Sequence, residues 1–409
     1  MFNNWRKINY VQSGLFIFYI KKAVRETSIY LWHKSMKIAI IEKGHFEVAY
    51  TLISLFDSDE NHITVFIDKP SYHQLEFLLE GKIQKYTWIV QEDQSNRNFI
   101  RLIFHHHLLH SFDLLYFNTI SDNFIQYAAY IKHLETKKII LALHDILGYF
   151  KFKPSLSVRK IIRHIGKIEL IRTIQNFNVI SETLVPLLQK KIPETKKIFN
   201  IPGGFFEPDK FTISLFSEKD TIKITIPGSV DSRRRNYDSI FELLEGANSE
   251  QTNLSVTLLG GFHKNYSKGI RDRCRKYSSI NSNLHIYELD SVSQAEFDRV
   301  MKETHFIWIP VRQFATVTDG VTEQYGTTIT SGNIGDVIRH CRPFFSPHYF
   351  KIDKTLESGC LRYANTKDIL NALRELNSTS YSQLQDGAYY ASMNYTKEKI
   401  VSRNKELFG

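Results

Sequence analysis

From residue 36 onward, short apolar runs alternate with segments of helical periodicity along almost the whole chain. This alternation is typical of an α/β protein in which helices wind around a parallel sheet. The first series of runs predicts strands up to a break near Gly203-Gly204, with a helix over residues 46–56 after the first strand. The predicted strands are 37–41, 62–67, 87–90, 114–118, 139–144, 177–181 and 197–201.

A second series repeats the pattern and predicts a second doubly wound domain. Its predicted strands are 222–226, 255–259, 284–287, 306–309 and 344–346, and its predicted helices are 237–245, 268–278, 294–302 and 334–340. The tail is helical in composition, and we expect it to cross back onto the first domain. The pattern thus predicts an N-terminal basic and aromatic extension (1–35), two Rossmann-like domains (36–205 and 206–380) and C-terminal helices (381–409).

The composition is typical of a globular protein, with 42% hydrophobic and 23% charged residues. A length of 409 residues is enough for two domains, each with its own hydrophobic core. The three cysteines are odd in number and lack metal or redox spacing, which favours a reducing cytoplasm. A net charge of +10 indicates an anionic partner, either nucleic acid or a membrane surface with anionic lipids. No apolar run approaches the ~20 residues of a membrane span.

Residues 11–22 (VQSGLFIFYIKK) combine aromatic and basic side chains and would suit the interface of a membrane. An extension packed on the first domain would explain the same residues. So would a chain start at Met36, where a strand begins at once.

Residues 155–173 are the second segment suited to a membrane. The basic side chains that fall on one helical stripe are Arg159, Lys160, Arg163 and Lys167. Isoleucines lie largely on the other side, so the helix is predicted to dock through its basic stripe on anionic lipid headgroups. A helix that buries its apolar side and solvates its basic side gives the same pattern.

The stretch 323–347 carries the main functional signal. After an apolar strand and a loop, small polar residues lead into an amphipathic helix; they are Thr330, Ser331, Gly332 and Asn333. Hydroxyl groups, a glycine and free backbone N–H groups at a helix start form a pocket that favours phosphate. Glu323 precedes this pocket, where its carboxylate could hold sugar or ribose hydroxyls. A surface carboxylate and an ordinary helix cap are the alternatives.

This stretch resembles the donor segment of GT-B glycosyltransferases that use nucleotide sugars, of the family 4-like or group 1-like type. The resemblance lies in the order of Glu323, Tyr325-Gly326, a helix start of small residues, and a strand that begins after Pro343. Pro202-Gly203-Gly204 is similar to the Pro-Asn-Gly between the domains of that family, with a glycine in place of asparagine. Retaining members carry a second glutamate where this chain has Ser331. The resemblance therefore implies the fold and a donor site, but not the stereochemical outcome.

A loop after the predicted strand 222–226 is the second candidate site. In the resembling family this loop supplies basic groups to the donor diphosphate, and here it contains Gly228, Ser229, Arg234 and Arg235. Arg234 falls on the family's lysine position, while Ser229 replaces an arginine. Guanidinium groups bind phosphate oxygens in a bidentate fork. A solvated charged turn is the alternative.

Two histidines are expected to face the same cleft from the first domain. His144-Asp145 ends a strand and resembles the His-Asp of many GT-B sequences, and Gly44-His45 follows the first strand. An imidazole can hold a hydroxyl or accept its proton; a core or capping histidine is equally compatible with the sequence.

The resemblance implies catalytic roles for His144, Glu323 and Arg234, an acceptor side formed by Gly44, His45 and Asp145, and no metal or other cofactor. A histidine run, His105 to His107 with His110, is not expected to bind metal because neighbouring helical side chains diverge.

The sequence thus predicts a metal-independent glycosyltransferase, hexosyltransferase-like, that moves a sugar from a nucleotide sugar to a hydroxyl of a sugar or lipid-linked acceptor. The expected setting is bacterial surface polysaccharide or glycoconjugate synthesis, in the cytoplasm and peripheral on the inner face of the membrane, without nucleic acid. A sugar-nucleotide epimerase of the same fold is one alternative, although more cleft carboxylates would be expected. A nucleic-acid-binding protein is the other, suggested by charge and aromatic content but without a recognised motif.

Overall fold

The computed structural model describes residues 35–92, 95–134, 138–263, 266–289, 291–317 and 319–408. Residues 36–408 form one compact unit. The predicted membrane-interface segment at residues 11–22 lies outside the described residues.

The first half of the described chain contains a seven-stranded parallel sheet in the order β3-β2-β1-β4-β5-β6-β7. Its strands are β1 Lys37–Glu42, β2 His62–Asp68, β3 Thr87–Gln91, β4 Leu114–Phe117, β5 Lys138–Leu143, β6 Asn176–Val179 and β7 Lys197–Asn200. Its helices are α1 Phe46–Phe56, α2 Lys69–Leu78, α3 Asn96–His110, α4 Phe124–Ile131, α5 Leu147–Phe150, α6 Val158–Thr173 and α7 Val185–Gln189.

The described part of the second half contains a six-stranded parallel sheet in the order β10-β9-β8-β11-β14-β15, and a separate hairpin formed by β12 and β13. The strands are β8 Ile222–Pro227, β9 Leu254–Leu259, β10 Leu284–Ile286, β11 Phe306–Trp308, β12 Phe314–Thr316, β13 Thr322–Gln324, β14 Phe344–Pro347 and β15 Cys360–Tyr363. The helices are α8 Asp238–Ser249, α9 Lys268–Ser278, α10 Gln294–Glu303, α11 Asn333–His340 and α12 Thr366–Arg374.

The central strands form because continuous apolar runs can be buried on both faces of a parallel sheet. In β1, every residue after Lys37 is buried, and the strand pairs with β2 on one side and β4 on the other. β8 has the same place in the second sheet, between β9 and β11. Each sheet therefore reverses its strand order beside its first strand, which is where open α/β sheets bind ligands.

The C-terminal helices cross back onto the first domain, as predicted. They are α13 Ser378–Ser392, α14 Lys397–Arg403 and α15 Lys405–Phe408. The N–H of Phe206 donates to Tyr395 O at 2.9 Å, and the Phe408 ring lies 4.6 Å from that of Phe56 at the end of α1. The Lys397 ammonium donates to Asp57 O at 2.8 Å. The predicted α/β architecture of two doubly wound domains with returning helices is confirmed.

The sequence did not predict β15, α12 or the β12–β13 hairpin. The hairpin strands have three residues each, and their exposed–buried–exposed alternation is too short to distinguish from a loop. β15 has the sequence CLRY and is only partly buried at three of its four positions, so it lacks the apolar run that marks the other strands.

The predicted outer stripe of four basic residues on α6 is correct for Arg159 and Lys160, which are exposed, and wrong for Lys167. Lys167, expected on the outer basic stripe, is only 2% exposed, and its ammonium donates to Gly148 O at 2.9 Å and to Asp319 at 2.6 Å. Ile161, Ile162 and Ile165 are exposed instead. No helix in the described residues is both long and apolar enough to cross a membrane.

Candidate functional site

A cavity of about 620 Å³ lies between the two domains, at the carboxyl ends of both central strands. Gly44 and His45, which follow β1, line it from the first domain together with His144 and Asp145, which follow β5. From the second domain it is lined by residues that the sequence also singled out: Gly228, Ser229, Arg234, Arg235, Thr330, Ser331, Gly332 and Asn333. The fold therefore brings most of the predicted site residues together.

The loop after β8 and the start of α11 are joined into one backbone cradle. Gly228 has a φ of +85°, a conformation that favours glycine. The Asn333 amide donates to Pro227 O at 2.7 Å, tying the first residue of α11 to the end of β8. Arg235 donates to Pro227 O at 2.6 Å and to Asn333 Oδ1 at 3.0 Å. The Arg235 guanidinium thus holds the cradle together through protein contacts.

The neighbouring arginines have different surroundings. Arg233 is paired with Asp231 at 2.6 Å and lies 3.4 Å from the centre of the Tyr266 ring, and it is not among the residues that line the interdomain cavity. Arg234 lines that cavity, its side chain is 46% exposed, and its Nε is 3.8 Å from the Asp231 carboxylate. Arg234 is therefore the arginine of this run that is best placed to reach an anion in the cleft.

Glu323 is placed differently from the sequence expectation. It is 1% exposed and does not line the cavity, and its Oε1 accepts the N–H of Gly148 at 2.7 Å. Burial raises the pKa of Glu323 to about 7. The carboxylate therefore holds the start of α5 and lies outside the cavity lining.

Two carboxylates in the cavity lining were not recognised as site residues from the sequence. They are Asp336, in the first turn of α11, and Glu47, in the first turn of α1. Burial raises the pKa of Asp336 to about 6 and that of Glu47 to about 7. Arg339 lines the same wall and donates to Glu47 O at 3.3 Å. An acid in the first turn of a helix is common because it suits the helix dipole, so the sequence carried no distinct signal for Asp336 as a site residue.

The histidines on the first-domain side form a stacked pair. The rings of His45 and His144 lie 4.7 Å apart, and His144 Nε2 is 2.9 Å from Asn118 O. Since a carbonyl only accepts, Nε2 carries the hydrogen and Nδ1 of neutral His144 is a free base. Burial lowers the pKa of each ring to about 4, with the neighbouring ring adding to the effect at His144. Both imidazoles are therefore neutral at pH 7.

Glu42, the last residue of β1, lies beneath this pair. Its carboxylate accepts the N–H of His45 at 2.7 Å, the Thr119 hydroxyl at 3.1 Å and the Asn118 amide. Burial raises its pKa. This network fixes the loops after β1 and β4, and no sequence pattern predicted it because Thr119 and Glu42 are 77 residues apart.

The two domains meet along one edge of the cleft. Ile146 N–H donates to Thr328 O at 2.9 Å, and Asp319 pairs with Arg163 at 3.1 Å in addition to Lys167. The Pro-Gly-Gly turn forms another contact, where a Cβ on Gly204 would lie 2.5 Å from Gly335 O. Neither Gly203 nor Gly204 has a positive φ, so Gly204 is needed for close approach and not for an unusual backbone angle.

No family model and no curated protein matches the sequence. Solved structures match over most of the chain. HepE of Anabaena, solved with UDP and glucose, has a TM-score of 0.62 at 12% identity over 91% of this chain and 99% of its own. A glycosyltransferase from Rickettsia africae has a TM-score of 0.55 at 12% identity over 92% and 98%.

A third similar structure is the UDP-GlcNAc 2-epimerase of Neisseria meningitidis bound to UDP-GlcNAc. Its TM-score is 0.54 at 15% identity, over 91% of this chain and 100% of its own. Identities this low establish architecture and not activity. The chain has the GT-B fold, as the sequence motifs predicted.

Proposed function

We propose that the protein is a glycosyltransferase that binds a nucleotide sugar in the interdomain cavity and transfers the sugar to an acceptor hydroxyl. One observation carries the proposal. The exposed side chain of Arg234 and the start of α11 line the same cavity, opposite the neutral histidines His45 and His144. Such a cavity would bind an anionic leaving group on the second domain and an acceptor hydroxyl on the first domain. The similar structures, one solved with UDP and glucose, support this assignment.

The diphosphate of the donor would lie against Gly228 and the start of α11. Backbone N–H groups at a helix start and the guanidinium of Arg234 would neutralise the charge that develops as the nucleoside diphosphate leaves. We propose that these groups perform this role without a divalent metal. Asp336, which faces the cavity, would hold hydroxyls of the donor, a role that the sequence had assigned to Glu323.

The acceptor would approach from the first domain, beside Gly44. Gly44 has a φ of +115°, and a Cβ there would meet open space, so the backbone is accessible at this position. Neutral His144 offers Nδ1 as a hydrogen-bond acceptor to a hydroxyl and can take its proton as the glycosidic bond forms. Asp145 and His45 complete this side of the cavity.

We further propose a cytoplasmic enzyme at the inner face of the membrane, acting in bacterial surface polysaccharide or glycoconjugate synthesis. The basic character of the chain supports an anionic acceptor, such as a sugar linked to a lipid phosphate.

Nucleotide binding by Arg234 tests the donor site. Removing a charged hydrogen-bond donor should weaken binding by ~1.5–3 kcal/mol, so Arg234→Ala should lose roughly tenfold or more in affinity for UDP or GDP by calorimetry. Arg233→Ala is the matched control, because Arg233 contacts Asp231 and Tyr266 outside the cavity lining. Equal affinity of the Arg234 variant and the parent would remove Arg234 from the donor site, and binding of single-stranded oligonucleotide in place of UDP or GDP would contradict the proposal.

A sugar-nucleotide epimerase is the second candidate, and a specific observation favours it. The sequence suggested too few cleft carboxylates, yet Glu47, Asp145 and Asp336 all line the cavity. An epimerase changes its nucleotide sugar without an acceptor, whereas a transferase releases nucleoside diphosphate in an acceptor-dependent manner. Incubating the protein with a panel of nucleotide sugars, with and without sugar acceptors, separates the two.

A further inference from the structure

The outer surface of α6 and of the loop before it is apolar. Large hydrophobic side chains are exposed at six positions within fourteen residues: Phe152, Leu156, Val158, Ile161, Ile162 and Ile165. Leu156 is 101% exposed and Val158 66%. We call these six residues the α6 patch. Side chains of this kind are expected to be covered in the working protein, since contiguous apolar surface marks interaction sites.

The helical part of the patch forms one stripe. Val158, Ile161, Ile162 and Ile165 follow the spacing of one helical stripe. The Phe152 ring lies 5.0 Å from that of His164, so the preceding loop packs against the same helix.

Exposure of the patch does not come from loose packing of α6. A Cβ on Gly166 would lie 2.5 Å from Ile125 N, which shows how closely α6 approaches α4. Leu170 and Ile171 are buried on the inner side of the helix. The helix therefore has a fixed inner face, and the apolar stripe is its permanent outer face.

The residues around the patch are positively charged, which favours an anionic partner. Lys151, Lys153, Arg159 and Lys160 are exposed beside the apolar side chains. No acidic residue occurs between Asp145 and Glu169. Apolar side chains surrounded by lysine and arginine match the acyl region and anionic headgroups of a bilayer, where both kinds of group are satisfied at once.

We propose that the α6 patch docks on an anionic phospholipid bilayer, with the isoleucine stripe inserted at the interface and the basic residues at the headgroups. This reverses the sequence expectation, in which the basic stripe faced the lipid. Arg163 and Lys167 extend from the inner face of the same helix into the cavity lining. Docking therefore places the acceptor side of the cavity next to the membrane.

The docking proposal does not depend on sugar transfer; only the consequence that the acceptor is lipid-linked rests on the proposed function. Vesicle binding can succeed in a protein that transfers no sugar, and sugar transfer to a soluble acceptor can succeed without vesicles. The two proposals can thus fail separately.

Co-sedimentation of the full chain with vesicles tests the patch. The parent should bind vesicles containing phosphatidylglycerol, release them at high salt, and bind pure phosphatidylcholine weakly. Replacing all three isoleucines (Ile161→Ser, Ile162→Ser, Ile165→Ser) should reduce the partition coefficient by at least ~100-fold, since a buried isoleucine is worth roughly tenfold or more. The double variant Arg159→Glu, Lys160→Glu should lose at least roughly 20-fold on anionic vesicles.

The matched control changes two other exposed apolar residues, Leu108 and Leu109 on α3, to serine. It should bind vesicles as the parent does. Equal binding by the triple isoleucine variant and the parent would overturn the proposal and assign membrane binding to another segment. A parent that ignores anionic vesicles but forms a dimer that the triple variant disrupts would also overturn it, because the patch would then bind a second copy.

A labelled variant provides a test that does not depend on loss of binding. An environment-sensitive fluorophore on Ile162→Cys should shift to shorter wavelength and brighten on anionic vesicles, while the same label on Leu108→Cys should not change. Cys274 and Cys341 are buried in the protein and Cys360 is half-buried, so the introduced cysteine is the most accessible of the described thiols. An unshifted spectrum at position 162 in vesicle-bound protein would exclude insertion of the patch.

Discussion

Replacing Glu323 by glutamine separates a structural role of this residue from a ligand-binding one. The carboxylate is buried and accepts the Gly148 N–H at 2.7 Å, and burial raises its pKa from an ordinary 4.5 to about 7. A carboxyl whose pKa is higher in the folded state binds a proton more tightly there than in the unfolded chain. It therefore contributes stability below pH 4.5, and this stability is lost as the pH rises through 7.

A pKa of about 7 in place of 4.5 corresponds to roughly 3 kcal/mol between the low-pH and high-pH limits, and relaxation around the charged form reduces this to about 2 kcal/mol. Glu323→Gln keeps an oxygen for Gly148 and has no charge to bury. The free energy of unfolding of the variant, relative to that of the parent, should therefore increase by about 2 kcal/mol as the pH rises from 5 to 8. Urea denaturation at several pH values in this range measures the difference.

The same variants test the earlier hydroxyl-binding hypothesis. Glu323→Gln should bind UDP or GDP as the parent does, and Glu323→Ala should unfold more easily than Glu323→Gln by about 1–3 kcal/mol because Gly148 loses its partner. Parallel pH profiles for the parent and Glu323→Gln would refute the linkage argument. A large loss of nucleotide-sugar affinity in a stable glutamine variant would return Glu323 to the donor site.

Three further predictions test the cleft. Gly204→Ala should destabilise the protein by about 1–3 kcal/mol in thermal or urea unfolding, since its Cβ would lie 2.5 Å from Gly335 O, whereas Gly203→Ala meets only Val48 Cγ2 at 3.7 Å and should be nearly neutral. Asp336→Asn should weaken nucleotide-sugar binding measured by calorimetry without unfolding the chain, and unchanged affinity would exclude the hydroxyl-holding role. His144→Ala should lower turnover by roughly 10²–10⁴-fold. In the parent, kcat/KM should fall only as the pH approaches the His144 pKa of about 4, and an acid limb near 6.5 would contradict the assigned environment.

The sequence by itself determined the architecture and much of the cleft. Short apolar runs such as that in β1 favour strands buried on both faces of a sheet, and their alternation with helical segments favours parallel, doubly wound domains. Loops at the carboxyl ends of central strands then meet at one edge. For this reason Gly44, His144, Gly228 and Arg234 could be placed in one cleft from their positions after strands together with the resemblance to GT-B glycosyltransferases.

Tertiary structure decided the roles of particular side chains, because these depend on partners far away in the chain. Glu323 meets Gly148 across 175 residues, and Lys167 meets Asp319 across 152. Helical periodicity divides α6 into a basic and an apolar side, but it does not state which side faces inward. Burial of Lys167 against Asp319 makes the apolar side the outer surface, and the same folding places Asp336, instead of Glu323, against the cavity.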